Sequence, residues 1–444
     1  MAIQFNGETS NVSLTFFVRE FMDLKKIAKL DAALIKAAQG VRVLPNISWP
    51  LGSEETFLRN WRACKKVSLP DSSVQRLDLR DNIAALEKIS AQCNEDDPVE
   101  KFLFETAQSY ANAAHMLGAV GTRDFTTWSV SLYGRPDMLY KLQNMTAVDA
   151  AVFFLKLTDS LIGTGYIPPA ESNISATDFT VWLKTRVDEF FGPDVVSVVE
   201  DADLSAKAAA GANRIRVRST ATFSTLDQAQ LLNHEAFIHS ATMLNGRHQI
   251  NLQSLALGAP RTTRTQEGLA VLSELFTNSM DIARLRRIAL RVIAVQKALD
   301  GADFIEVFKF FLEAGQSEED SVRSTQRIFR SGAVKDGIVF TKDAVYLSGL
   351  LEVHTFIRLA IRDSRPELIG HLFAGRLTLA DVIRMAPVFE SGWLNTPRYV
   401  PDWASDLNRV AASMAYSAFL SKISLEKVKL NRMVLLEDEL KKMG

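Results

Sequence analysis

Two histidines five positions apart, His234 and His239, flank a glutamate in the run Asn233-His234-Glu235-Ala236-Phe237-Ile238-His239, inside a stretch whose apolar spacing predicts a helix. The chain has only six histidines, so this pair constrains the fold more than any other feature. On a regular α-helix of about 3.6 residues per turn, positions i and i+5 are rotated by roughly 140° from one another, and the two imidazoles diverge. They converge only where the turn is widened, as in a π-bulge with i to i+5 hydrogen bonding. A chain that uses both rings together must open its helix within residues 232–240. An unbroken α-helix there separates them.

What the pair could do follows from metal chemistry. Catalytic zinc in hydrolases is held by three protein ligands, often two imidazoles and a carboxylate, with the fourth position left for water. His234 and His239 supply the imidazoles, and Glu267, in the first turn of a helix predicted to start near residue 265, supplies the carboxylate. Glu235 follows the first histidine directly, where a carboxylate beside a metal can take a proton from water. Glu274 lies seven residues after Glu267 and shares its helix face, so it either orients a ligand or is an exposed helical glutamate. Chance alone gives roughly 0.005 His pairs at this spacing with glutamate after the first, which favours a metal site over two packing histidines. His115, alone among Ala and Met, reads instead as a packing histidine.

The rest of the chain predicts a mainly α fold with a small β-sheet, an α+β class. Helical spacing recurs over residues 14–39, 78–93, 98–117, 146–161 and 178–191, with Gly163, Gly165, Pro168 and Pro169 closing the fourth of these. Residues 41–69 look like a connector, and the first 120 or so carry no catalytic residue types in pattern. Residues 194–199 and 337–340 are strand candidates, and 212–223 is the clearest strand, with Arg214, Arg216 and Arg218 on one face and Ile215 and Val217 on the other. That arginine ladder is either a solvated face or an edge strand lining a cleft for an acidic chain. Thr225 or Asp227 is expected to cap the histidine helix, which should end at Asn245-Gly246 in a left-handed glycine cap. Arg284, Arg286, Arg287 and Arg291 mark a solvated or acid-facing side of a long helix. Residues 425–443 form a closing amphipathic run. The expected division is a helical region over 1–130, a zincin-like metallopeptidase core over 131–350, and a helical C-terminal region over 351–444 packed on that core.

Lys plus Arg (51) balance Asp plus Glu (52), which gives no global attraction to nucleic acid or an anionic membrane. Two cysteines, Cys64 and Cys93, cannot build a disulfide framework, residues 1–13 lack the pattern of a secretory signal, and the apolar stretch 145–165 is broken by Asp149, Lys156 and Asp159. The expectation is a soluble, cytoplasmic protein in a reducing compartment, with neither nucleic acid nor membrane as partner.

His234-Glu235 with His239, Asn245-Gly246, Gln266-Glu267-Gly268-Leu269-Ala270 and Phe340-Thr341-Lys342-Asp343, followed by Val345-Tyr346-Leu347, resemble the bacterial flavohaemoglobin expression-modulating QEGLA motif family, which is related to the HExxxH tubulin tyrosine carboxypeptidases. The resemblance runs from about residue 132 to 349 and departs at the bulky Ala236-Phe237-Ile238. It implies a zinc peptidase with His234, His239 and Glu267 as ligands and Glu235 as base, acting on a peptide or protein C-terminal tail of acidic character. A carboxypeptidase must also hold a terminal carboxylate, for which Lys342, Arg327, Arg330 and Arg264 are candidates, with Arg216 of the ladder drawing in an acidic chain. Tyr346 or Tyr133 could donate to the oxyanion. Two rival functions are a regulatory binding protein with a structural or vestigial metal site, and a zinc amidase acting on a non-peptide amide.

Overall fold

Helices begin in this chain where a short polar side chain can take the orphan N–H groups of a first turn. Asp97 accepts from Val99 and Glu100, Ser175 from Asp178, and Asp281 from Arg284. A computed structural model describes residues 22–63, 69–70, 74–162, 171–204, 206–211, 213–420 and 422. The expected helix start over 14–21, Cys64, the helix-closing Gly and Pro residues of 163–170, and the run 425–443 lie outside these residues. Cys93 is free and half-buried.

In chain order the longer helices are α1 (Leu24–Ala38), α2 (Ser53–Arg62), α3 (Arg80–Ser90), α4 (Pro98–Gly118), α5 (Arg123–Tyr133), α6 (Ala147–Ile162) and α7 (Ala176–Phe191), followed by strands β1 (Ser197–Asp201), β2 (Ala208–Ala210) and β3 (Arg214–Arg218). Then come α8 (Thr225–Leu231), a π-helical segment (Leu232–Ser240), α9 (Ala241–Arg247), α10 (Thr263–Phe276), α11 (Ile282–Leu299), α12 (Phe304–Glu313), α13 (Glu318–Ile328) and α14 (Val345–Arg362). The fold is thus mainly helical with one small sheet, as expected. The chain divides into two compact units, Met1–Pro401 and Asp402–Gly444. The second contains the helix α15 (Leu407–Leu420).

The sheet has the order β1-β3-β2, with β1 parallel and β2 antiparallel to β3. The arginine ladder therefore sits on the central strand rather than on an edge, because both of its hydrogen-bonding sides are occupied. Alternation holds: Ile215 and Val217 are fully buried, in one core with Phe179, Phe223 and Ala236, while Arg214 is exposed and Arg216 pairs with Asp201 on β1 at 3.1 Å. The short edge strand is β2, and it packs against the π-helical segment. Residues 337–340 do not form the expected strand. Their amides are taken up locally, Val339 N–H by Thr126 Oγ1 at 2.8 Å and Phe340 N–H by the Ile328 carbonyl at 2.8 Å. His115 stacks on Trp128 with ring centroids 4.8 Å apart, the packing role expected of it.

Two boundaries near the histidines also differ from expectation. Ser224 is the cap of α8, and Asp227 occupies the third helical position, where it completes a capping box. Gly246 is not a left-handed cap, since α9 continues through Arg247. It is small for another reason: a Cβ there would come within 2.5 Å of the Leu255 carbonyl oxygen.

α10 and α14 form the closest helix pair and cross at Gly268 and Gly349, where a Cβ on either would collide with backbone of the other helix. Residues Thr341–Arg362 are long and apolar enough to cross a membrane by length and composition. Val345, Leu347, Val353 and Ile357 of this segment are fully buried within the protein, so its apolar character is used in packing. Gly268→Ala is expected to destabilise by about 2–3 kcal/mol through backbone overpacking, read as a lower urea midpoint. Gly258→Ala, where a Cβ meets nothing within 4 Å, is the matched control and should change little.

Candidate metal centre

The chain does widen at the histidines. Leu232–Ser240 is π-helical throughout, between α8 and α9. Ala236 and Ile238 are fully buried on its inner side. Its polar side chains are tied to fixed acceptors: Asn233 Nδ2 donates to the Ala229 carbonyl at 2.8 Å, and Ser240 Oγ to the Gly211 carbonyl at 3.2 Å. With the turn opened, the His234 and His239 rings meet at 4.8 Å between centroids, nearly perpendicular. His234 Nε2 lies 3.3 Å and His239 Nε2 3.6 Å from Glu267 Oε2. His234, His239 and Glu267 are buried and each offers a ligand atom within 4.8 Å of the others, so the trio could hold a metal ion.

Two of the three, His234 and Glu267, are oriented from behind, whereas His239 Nδ1 has no hydrogen-bond partner among the described residues. Glu274 is fully buried rather than exposed, and its Oε1 sits 2.7 Å from His234 Nδ1. It also accepts from Arg284 Nε and Nη2 at 3.1 and 3.0 Å and from Gln230 Nε2 at 2.9 Å. An ionised Glu274 can only accept, so His234 Nδ1 carries a proton and Nε2 is the atom turned to Glu267. Lys342 Nζ donates to Glu267 Oε1 at 2.7 Å. That leaves Oε2 buried, turned to both imidazoles and without a hydrogen-bond partner among the described residues. A buried carboxylate oxygen of this kind needs a cation or a proton donor.

The electrostatics point the same way. Burial opposes ionisation of Glu267, but the Lys342 ammonium and the two imidazoles outweigh it and hold the carboxyl well below its usual range. Burial likewise opposes charge on Glu274, yet Arg284 and His234 bring it down to about 2. Burial disfavours protonated His234, but Glu267 and Glu274 overcome this and raise it to about 10. His239 is moved the other way, chiefly by burial. The field of two carboxylates that would retain a proton on His234 also favours a divalent cation in the same place.

Gln266 had no assigned role in the sequence. Its Oε1 accepts from Thr242 Oγ1 and from Arg376 Nη1, both at 2.8 Å, and Arg376 Nη2 donates to the His239 carbonyl at 3.0 Å. These contacts join the two ligand-bearing segments. Nothing in spacing or composition marks Arg376, which lies far along the chain.

His234, Glu235 and Tyr346 line a cavity of about 380 Å³. Glu235 stands outside the ligand trio, and its Oε2 accepts from the Ala210 N–H of β2 at 2.8 Å. The Tyr346 hydroxyl is 3.5 Å from Arg327 Nη2, and its ring lies under the Lys342 ammonium at 5.1 Å. Arg330 lines the same cavity. The other expected substrate residues are engaged elsewhere. Lys342 is bound to Glu267, Arg216 to Asp201, and Arg264 to Glu352 and the Tyr133 carbonyl at 3.3 and 3.1 Å. Tyr133 is buried edge-on against Phe340. The connector contributes where no function was expected, with residues 48–55 in the cavity wall, and Arg284, Arg287 and Arg291 of α11 face the cavity, while Arg286 pairs with Asp159.

Removing an orienting partner should loosen the trio without deleting a ligand. Glu274→Gln and Lys342→Met are each expected to weaken metal affinity by about 10–100-fold, measured by competition with a chromogenic chelator. Unchanged affinity in both would refute the orienting roles.

No curated protein matches the chain. A family model does, described as microtubule-associated tyrosine carboxypeptidase and matched over residues 55–422. The match extends on both sides of the 132–349 stretch that carries the motif resemblance. With most of its length covered, the chain belongs to the microtubule-associated tyrosine carboxypeptidase family.

Proposed function

We propose that the chain is a zinc metallopeptidase of the HExxxH type with a zincin-like core, removing a C-terminal residue from a peptide or protein tail of acidic character. The observation that carries this reading is the spacing of the trio. Bonds of about 2.0–2.1 Å to a tetrahedral zinc separate ligand atoms by about 3.4 Å, and Glu267 Oε2 lies 3.3 and 3.6 Å from the two imidazole nitrogens. Two imidazoles and one carboxylate form a donor set suited to catalytic rather than structural zinc. The orphaned Glu267 Oε2 supports the same assignment.

A bound zinc supplies Lewis acidity, lowering the pKa of water and polarising a carbonyl. His234, His239 and Glu267 would hold it. Glu235, fixed through one oxygen by the Ala210 amide, takes a proton from the attacking water and delivers it to the leaving amine. Tyr346, within the cavity wall, donates a hydrogen bond to the oxyanion of the tetrahedral intermediate. The family description suggests tyrosine as the residue removed. The catalytic core is assigned to residues 131–350, and the cytoplasm is the proposed location.

The test uses a peptide library varied at its C-terminus, read by mass with and without chelator. Release of single C-terminal residues is expected, abolished by chelation and restored by zinc. Glu235→Gln should retain one equivalent of zinc while turnover falls by about 10²–10⁴-fold. Full turnover by that variant would remove Glu235 from the mechanism, and no turnover by the zinc-loaded parent on any peptide would sink the peptidase reading.

A further inference from the structure

Seven arginines line the cavity, Arg218 of β3 and six that stand in two rows. Arg284, Arg287 and Arg291 are three and four residues apart on α11, and Arg323, Arg327 and Arg330 are four and three apart on α13 and just beyond it. Such spacing puts each set on one side of its helix, and α11 and α13 pack together. Rows of guanidinium facing one cavity repel unless carboxylates divide them.

Four of the six have such carboxylates. Arg284 is held by Glu274 at 3.0 Å, Arg323 by Glu54 at 2.5 Å, and Arg327 by both oxygens of Asp343 at 2.6 and 2.7 Å, while Arg291 reaches the same Asp343 at 3.8 Å. Arg287 and Arg330 have no ion pair or hydrogen bond among the described residues. Asp281, Asp320 and Asp227 act on Arg287 only at a distance, and Asp343, 3.8 Å from Arg291, acts on Arg330 only at a distance as well. Both side chains are half-buried. Burial, reinforced by Arg327, brings the Arg330 guanidinium down to about 10, and burial with Arg284 moves Arg287 in the same direction. A cation partly withdrawn from water with no partner costs the protein stability. It is tolerable where a ligand completes the pair.

We propose that Arg287 and Arg330 are the carboxylate receptor of the cavity, with a substrate carboxylate supplying the counter-charge that Glu274 and Asp343 give to the neighbouring arginines. The forked guanidinium donors suit a planar carboxylate bound through both oxygens. The carboxylate comes either from the C-terminus of the peptide or from an acidic side chain beside it. This inference rests on the peptidase reading for its peptide, but not on turnover for its test.

The experiment measures binding to the zinc-loaded Glu235→Gln protein by fluorescence anisotropy. The probes are dansyl-Gly-Glu-Tyr as free acid, the same peptide as C-terminal amide, and dansyl-Gly-Gln-Tyr as free acid. The free acid is expected to bind about ten- to hundred-fold tighter than at least one of the other two, the range for a charge-assisted pair. Loss of affinity on amidation identifies the terminal carboxylate, and loss on Glu to Gln exchange identifies the side chain. Adding Arg287→Gln or Arg330→Gln should bring that ratio towards one, and Arg→Lys at either position should restore part of it. Because each arginine is an uncompensated cation, the Gln variants should melt no lower than the parent. A ratio that survives both substitutions, a parent without preference for any carboxylate, or a steep loss of stability in the variants would overturn the proposal. Absent hydrolysis by the native Glu235 protein, with the binding ratio intact, would count against the peptidase reading alone.

Discussion

Glu267 reaches two imidazoles because α10 packs against the π-helical segment, and it meets Lys342 because α10 also lies close against α14, which glycine beside it permits. At Gly268 and Gly349 the two helices approach with no room for a Cβ on either. Lys342, in the turn that leads into α14, can then donate to Glu267 Oε1 and leave Oε2 for the histidines. A methyl group at position 268 would force the helices apart and move the carboxylate and its ammonium partner away from one another. The Gln266 to Ala270 string is therefore one mechanical unit: Gln266 joins the histidine segment through Thr242 and Arg376, Glu267 faces the rings, Gly268 permits the approach, and Leu269 and Ala270 are fully buried behind them.

Charge is arranged around that unit in alternation. Arg284 stabilises Glu274, Glu274 holds His234, and Glu267 is set between the imidazoles and Lys342. The two carboxylates and His234 are buried and Arg284 and Lys342 largely so, where an unpaired charge is costly and a paired one is strongly oriented. Such a chain fixes the direction of each donor atom better than surface ion pairs could. The neighbouring arginines continue the alternation through Asp343, and it stops at the cavity.

The local parts of this site were readable in the sequence, because they depend on short-range geometry. Five-residue histidine spacing demands a widened helix, and the π-helical segment is what the chain forms. The placement of Glu274 on the same face as Glu267 followed from helical periodicity, although only the fold could bury it. What spacing could not give were contacts set by tertiary approach. Arg264, Lys342 and Arg216 are cationic and near the motifs, yet each is taken by a carboxylate that is distant in the chain or on another strand. The strand with the arginine ladder could be read as a solvated face or as an edge because its alternation was plain, whereas a three-residue alanine strand gives almost no signal of its own. Ala210 contributes through its backbone amide, which no side-chain pattern records.

The same distinction explains why the α11 arginines were ambiguous. Their helical spacing is that of an ordinary solvated face, and periodicity alone cannot separate water from a cavity on that side. The difference lies in the supply of carboxylates. A solvated face leaves its cations to water and salt, but a closed one must provide counter-charge, and here Glu274, Asp343 and Glu54 serve four of the six arginines in the two rows. An inventory of charge taken after folding thus carries information that composition, nearly balanced over the whole chain, averages away. The cavity also contains His234 and Glu235, so the deficit of counter-charge falls beside the candidate metal centre, where the proposed reading puts an incoming carboxylate.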